Sequence, residues 1–181
     1  MKIDLKRYID DVWDFPTKGI LFKDISPLLA NGKALNYAVK EMTKLAKGAD
    51  VIVGPDARGF LFGTPVAAKL KKPFVMVRKA KKLPGEVIKQ EFDLEYGKSV
   101  LEMQKGRILP GQNVVIIDDV LATGGTMKAI IDLIKSQGAK IKRVIFLMEL
   151  VDLGGAKKYK DIEVVSLVKA KSQGIKHEKN A

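Results

Sequence analysis

The sequence predicts an α/β fold: a central, mainly parallel sheet flanked by helices. Three features predict it. Short runs rich in Val and Ile alternate along the chain with amphipathic stretches of helical period, the pattern of parallel strands joined by crossover helices. The run Val114-Val115-Ile116-Ile117 is apolar on both faces, as a strand covered by helices on both sides must be. No linker or internal repeat divides the 181 residues, a length that suits one domain with a sizeable core.

The elements follow in order. Leu5, Tyr8, Ile9 and Val12 have the spacing of an N-terminal amphipathic helix. An irregular segment with Pro16 and Gly19 follows, from Asp14 to Ser26. Leu35, Ala38, Val39, Met42 and Leu45 form the stripe of a helix ending near Gly48. Residues 51–53 read as a short buried strand, 59–70 as a helix containing Pro65, and 73–77 as a second strand. Residues 79–97 lack any clean period and are rich in charge and Gly, so they read as a long mobile loop. Strand character returns at 99–103. After Val114–Ile117 comes a helix with Met127, Ile130, Ile131 and Ile134 on one face, stopping at Gly138. Strands at 143–149 and 162–168 complete the sheet, and the basic tail 169–181 reads as frayed.

Composition excludes several function classes. Apolar residues make up 46% of the chain and the mean hydropathy is −0.01, as in a soluble globular protein. No apolar run approaches the roughly 20 residues of a membrane span, so no membrane partner is expected. Asp4, Asp10 and Asp11 interrupt the N-terminal apolar residues, unlike a signal peptide. The absence of Cys removes disulfides and thiolate sites and suits a reducing, cytoplasmic setting. The only His, His177, lies in the polar tail, which removes a His/Cys metal site. The net charge of +12 suits an anionic substrate, and it also suits nucleic acid. Much of it, however, sits opposite apolar stripes, as at Lys40, Lys44, Lys69 and Lys128, where it solvates helix faces.

The chemistry concentrates in Val114 to Thr126. A buried strand runs straight into Asp118 and Asp119, and Ala122-Thr123-Gly124-Gly125-Thr126 then leads into a helix. Such a turn aims backbone N–H groups outward, the glycines admit close approach, and the threonines add hydroxyls: a phosphate cradle. Two carboxylates beside it would repel a phosphate, so they suit sugar hydroxyls or a cation. The pair describes a phosphate attached to a polyol. Neither G-x-x-x-x-G-K-[ST] nor G-x-G-x-x-G occurs, so neither a P-loop nor a dinucleotide fold is supported. The string resembles the ribose-phosphate signature of the type I phosphoribosyltransferases.

Further constellations point to the same ligand. Arg58 opens a helix after the strand at 51–53 and presents a planar fork of donors suited to pyrophosphate or an aromatic base. Arg78 and Lys79 follow a strand, with Lys82 beyond, as a second anion clamp. Phe92-Asp93-Leu94-Glu95-Tyr96-Gly97 places an acid and an aromatic in the long loop.

The resemblance then becomes closer and covers about residues 5–168. Phe15-Pro16-Thr17-Lys18-Gly19-Ile20-Leu21-Phe22-Lys23-Asp24-Ile25-Ser26-Pro27 resembles the base-binding segment of the adenine phosphoribosyltransferases. Arg58-Gly59-Phe60-Leu61-Phe62-Gly63, Arg78-Lys79, Lys82-Leu83-Pro84-Gly85, Leu94-Glu95-Tyr96-Gly97 and 118–126 are similar to that family in order. The resemblance implies a type I phosphoribosyltransferase fold. Residues 1–34 would be a base-binding hood, 79–97 a flexible catalytic loop, and 1–181 a single domain. It implies purine salvage: transfer of a 5-phosphoribosyl group from phosphoribosyl pyrophosphate to adenine, giving AMP and pyrophosphate. The implied cofactor is Mg2+, held mainly by the donor near Asp118 and Asp119, and the implied assembly is a homodimer. Asp118 and Asp119 would face the ribose, and Ala122, Thr123, Gly124, Gly125 and Thr126 the 5′-phosphate. Arg58, Arg78, Lys79, Lys82 and Tyr96 would serve the donor. Leu21, Phe22, Lys23, Arg58 and Val120 would surround the base, with the ring between Leu21 or Phe22 and Val120. Glu95 would assist proton removal.

This chain departs from the family pattern at Lys81, where Gly is usual, at Pro55, and at Lys23, which often aligns with Arg. Two alternatives stand beside the adenine reading. One is transfer to another purine, xanthine or hypoxanthine. The other is a regulator that reuses the fold to bind nucleic acid, which the charge favours. The intact Glu95 loop and the absence of a preceding DNA-binding module disfavour it, so nucleic acid is not expected as a partner.

Overall fold

The computed structural model describes residues 2–93 and 97–173; Glu95, Tyr96 and residues 174–181 lie outside the described residues. A seven-stranded sheet forms the body, with neighbours in the order β5-β6-β4-β3-β7-β8-β9. Its strands are β3 (Val51–Pro55), β4 (Phe74–Lys79), β5 (Val87–Asp93), β6 (Lys98–Gln104), β7 (Asn113–Leu121), β8 (Lys140–Leu150) and β9 (Val164–Ala170). The helices are α1 (Ser26–Ala30), α2 (Gly32–Leu45), α3 (Arg58–Leu70) and α4 (Gly125–Ser136). β4, β3, β7, β8 and β9 run parallel to one another, while β5 and β6 form an antiparallel hairpin on one edge, β6 pairing antiparallel with β4. The sheet is thus mainly parallel, as the alternating pattern predicts.

Alternation along β7 shows why its apolar run is unbroken. Val115 and Ile117 pack with Met42, Phe62 and Val66 on the α2–α3 side. Val114 and Ile116 pack with Ile130, Leu133 and Ile134 of α4 on the other. Each face of the strand meets a helix layer, so a polar residue inside it would be buried unpaired. Helix α3 lies unusually close to the sheet. A Cβ on Gly59 would come within 2.6 Å of Pro55 Cδ and 3.1 Å of Asp118 Oδ1. The bare backbone at Gly59 lets the first turn of α3 settle against the end of β7.

Some expectations change. The N-terminal helix is instead a 3-10 turn, Leu5–Tyr8, followed by β1 (Asp10–Trp13). β1 pairs antiparallel with β2 (Leu21–Asp24), with Val12 opposite Phe22 and Trp13 opposite Leu21. The apolar spacing at 5, 8, 9 and 12 is helical, but pairing with residues 21–24 overrides that short pattern. The same pairing orders the end of the segment from Asp14 to Ser26 expected to be irregular. Within 79–97, residues 87–93 form β5 across from β6, so much of the expected loop is hairpin. Its charged residues mark an edge strand rather than a structureless one. The tail is ordered at its start: Lys169 and Ala170 pair with Glu149 and Leu150, and Ser172 donates to Asp152.

Candidate active site

The strand order locates the site. From β3 the chain adds β4 on one side, and later β7, β8 and β9 on the other. The loops leaving β3 and β7 therefore diverge, and a crevice opens between them at the carboxyl ends of the strands. A cleft of about 350 Å³ lies there, lined by Pro55 to Arg58 from the β3–α3 turn and by Asp118 to Met127. It gathers Arg58, Asp118, Asp119, Val120 and all of Ala122 to Thr126, as the motif predicts.

The cradle is built at the start of α4. Gly124 is the residue before the helix, left-handed at φ +84°, and no side chain caps the helix. The first N–H groups of α4 therefore remain available in the cleft. A Cβ on Gly125 would meet no described atom within 4 Å. Space for the backbone at Gly125 is thus open on the cleft side, where a ligand would approach.

The Asp pair is held under tension of charge. Asp119 is 4% exposed and Asp118 is half-buried. Asp118 Oδ1 accepts the Asp119 backbone N–H at 2.8 Å. Burial, and then the neighbouring Asp119 charge, push the Asp118 carboxyl well above its ordinary value. Burial also raises Asp119, opposed first by Arg58. Arg58 Nε lies 2.7 Å from Asp119 Oδ2, but off the hydrogen-bond direction, so that buried oxygen keeps an unfilled acceptor site. Arg58 also stands over the Phe22 ring, 5.5 Å from its centroid, a cation–π distance.

Arg58 and Phe22 line a second, mostly apolar cavity of about 500 Å³ with Phe15, Leu29 and Leu61. One guanidinium therefore joins an acidic, phosphate-type cleft to an aromatic one. Strand alternation places Phe22 toward Arg58 and turns Leu21 and Lys23 to the opposite face of β2. Lys23 Nζ pairs with Asp11 at 2.6 Å. Of the two residues proposed to flank a base, Phe22 is the one beside Arg58.

Arg78, Lys79 and Lys82 do not themselves line this cleft, but Arg78 reaches Asp56, which does. Arg78 Nε pairs with Asp56 Oδ2 at 2.8 Å, and its Nη1 donates to the Lys82 carbonyl at 3.1 Å. Arg78 thus braces the β4–β5 connection onto the β3–α3 turn, while Lys79 and Lys82 are exposed. At Lys81 the φ of +66° is a left-handed conformation that favours the glycine usual in the family, and Lys adopts it here. Its N–H donates to Glu102 Oε2 at 2.9 Å, and Glu102, only 2% exposed, also pairs with Lys89 at 3.1 Å.

The sequence reading missed Asp56, Glu102 and Tyr159. Asp56 lies in the short turn between β3 and α3, and only its pairing with Arg78 gives it a task. Tyr159, far along the chain, donates its hydroxyl to the Gly124 carbonyl. No local pattern marks Glu102 or Tyr159, because both act across the fold.

Comparison with known proteins shows the family of the chain. The family model of the phosphoribosyl transferase domain matches residues 25–179. An adenine phosphoribosyltransferase from Mycoplasmopsis pulmonis is 67% identical, over 92% of this chain and 98% of its own length. The structure of an adenine phosphoribosyltransferase from Thermoanaerobacter pseudethanolicus superposes with a TM-score of 0.87 at 48% identity, covering 92% of this chain and 98% of that one. One from Saccharomyces cerevisiae, complexed with adenine and an imino-altritol bisphosphate, gives 0.85 at 38% identity, covering 90% and 95%. Similarity of that degree along nearly the whole length means that this chain belongs to the adenine phosphoribosyltransferase family of phosphoribosyl transferase domains.

Proposed function

We propose that this chain transfers the 5-phosphoribosyl group from phosphoribosyl pyrophosphate to adenine, releasing AMP and pyrophosphate for purine salvage. The observation that carries this reading is Arg58, whose side chain touches both Asp119 in the phosphate-type cleft and Phe22 in the aromatic cavity. A ligand spanning that joint has a phosphorylated sugar on one side and a flat apolar base on the other. The yeast relative bound to adenine supports the choice of base.

In this reading the N-terminus of α4 receives the 5′-phosphate, and Asp118 and Asp119 hold the ribose hydroxyls. A base nitrogen forms the new bond to the anomeric carbon as the bond to pyrophosphate breaks, and pyrophosphate leaves with that electron pair. The state between is oxocarbenium-like, so nearby carboxylates stabilise it more than the ground state. Glu95, outside the described residues, takes the proton lost by the base; Tyr96 helps close the loop over the site and exclude water. Val120 on the cleft and Phe22 near Arg58 face the base from two sides, with the Leu21 and Lys23 backbones at its edge. Arg78 and Lys79 at the end of β4, and Lys82 just beyond, serve the pyrophosphate side.

Mg2+ suits this donor set. Among the described residues no group of three or more metal-ligating side chains converges, so the protein offers no cage of its own. Asp118 and Asp119, with an unfilled acceptor at Asp119 Oδ2, would hold an ion that keeps most of its shell in water and substrate oxygens. When bound, the ion neutralises charge on the departing pyrophosphate. We also read the protein as a cytoplasmic homodimer. The dimer and the compartment are what the family resemblance implies, and no described helix is long and apolar enough to cross a membrane.

A base panel with phosphoribosyl pyrophosphate and Mg2+, followed by pyrophosphate release, tests the reaction. Adenine should turn over; hypoxanthine, xanthine and guanine should not. Turnover of a 6-oxo purine in place of adenine would reassign the substrate.

Asp118→Asn and Asp119→Asn should each lower kcat at least about tenfold, roughly 1.4 kcal/mol of transition-state stabilisation. Stability should move the other way for Asp118→Asn. A carboxyl raised by burial holds its proton more tightly in the folded state, so ionising it costs folding stability as pH rises from the ordinary carboxylate range through its raised value. Ligand-free Asp118→Asn should therefore melt above wild type at pH 8. The gain should vanish at a pH where both carboxyls are protonated. A lower melting temperature at pH 8 with full activity would mark Asp118 as structural.

Glu95→Gln should lower kcat by about 10²–10⁴-fold, the usual worth of general acid–base help, while the donor Kd stays nearly fixed. Near-normal kcat in that variant would move proton transfer to another group.

A further inference from the structure

Two 3-10 turns, Val151–Leu153 and Gly155–Lys158, carry the chain from β8 to Tyr159 and pass directly behind the cradle. Two contacts tie this crossing to the cradle. Tyr159 Oη donates to the Gly124 carbonyl, which also accepts the Lys128 N–H at 3.1 Å. Gly155 packs so closely on Ala122 that a Cβ at Gly155 would collide with the Ala122 carbonyl oxygen. A Cβ at Gly124 would stand 2.8 Å from Tyr159 Oη. The cradle backbone is therefore gripped at Ala122 and again at Gly124, both on the side away from the cleft.

We infer that Tyr159 is a positioning residue for phosphate binding: its hydroxyl fixes the Gly124–Gly125 peptide so that the Gly125 N–H points into the cleft. The inference rests on the reading of Ala122 to Thr126 as the 5′-phosphate site. The peptide is planar and trans, so its N–H points opposite to its carbonyl. Anchoring the Gly124 oxygen to Tyr159 and Lys128 fixes both ends of that unit. Gly124 otherwise has the freedom of a glycine between two conformational wells, and a loop that wanders offers its donors poorly. A carbonyl that accepts an O–H also makes its own N–H a better donor to an anion. Burial pushes the Tyr159 phenol above its ordinary value, so it remains a donor at neutral pH. No nearer hydroxyl does this task among the described contacts of Gly124.

AMP and adenosine differ only by the phosphate, so together they test the inference. The full chain and its Tyr159→Phe variant are titrated calorimetrically with each. Wild type should bind AMP more tightly than adenosine. Tyr159→Phe should weaken AMP by about 3–10-fold, the range for one hydrogen bond, and leave adenosine unchanged. The KM for phosphoribosyl pyrophosphate should rise by a similar factor while kcat changes less. Equal weakening of AMP and adenosine would overturn the inference, because it would mean a general loosening of the fold. An unchanged affinity for AMP would overturn it too. Wild type binding AMP no better than adenosine would overturn the phosphate reading itself, and the role of Tyr159 with it.

Discussion

Burial of Asp118 and Asp119 side by side at the end of β7 is the constraint to which the rest of the site is fitted. Adjacent carboxylates in a low-dielectric setting repel each other and lose hydration. The structure offsets this only in part. Asp118 gains one backbone N–H, and Asp119 gains Arg58 at its flank. Both carboxyls stay raised and one oxygen stays unfilled. A stable fold has no use for such a pair at that depth. In the proposed reading such a pair holds sugar hydroxyls and a divalent ion and stabilises positive charge on a ribose.

Close packing follows from that placement. Gly59 lets α3 approach the end of β7, which brings Arg58 to Asp119. Arg58 then reaches β2 at Phe22, so the cleft and the aromatic cavity share one side chain. On the other flank, α4 begins uncapped, and the crossing from β8 to β9 supports its first turn from behind through Gly155 and Tyr159. Asp pair, guanidinium and helix N-terminus are each set by backbone elements of the core rather than by surface loops. That is the kind of support that holds donors in place before a ligand arrives.

Much of this was legible in the sequence, and the boundary has a physical cause. β7 and its cradle are one continuous string in which burial, turn chemistry and helix start fall within a few residues, so residues 114–126 predict their own structure. Arg58 could be placed at a helix start by the same local logic, although its two partners could not. Leu5 to Val12 failed because a short helical spacing lost to strand pairing with residues 21–24. Residues 87–93 failed because, although exposed Lys89 and Glu91 alternate with partly buried Ile88, Gln90 and Phe92, the polar Gln90 at an inward position hides that alternation in the sequence. Lys81, read as a departure, proves to sit in a glycine-type conformation held by Glu102, twenty-one residues away. Tyr159 acts on Gly124 from thirty-five residues away. Contacts of that range leave no periodicity to read.

The central claim is that the start of α4 receives the phosphate of the ligand through its backbone N–H groups. Amide NMR spectra of the labelled protein, titrated in parallel with AMP and with adenosine, test it most directly. The account predicts that the amide signals of Gly124, Gly125 and Thr126 shift strongly with AMP and little with adenosine. Both ligands should move signals around Phe22 and Arg58. Equal shifts at 124–126 with the two ligands, or none with AMP, would contradict it.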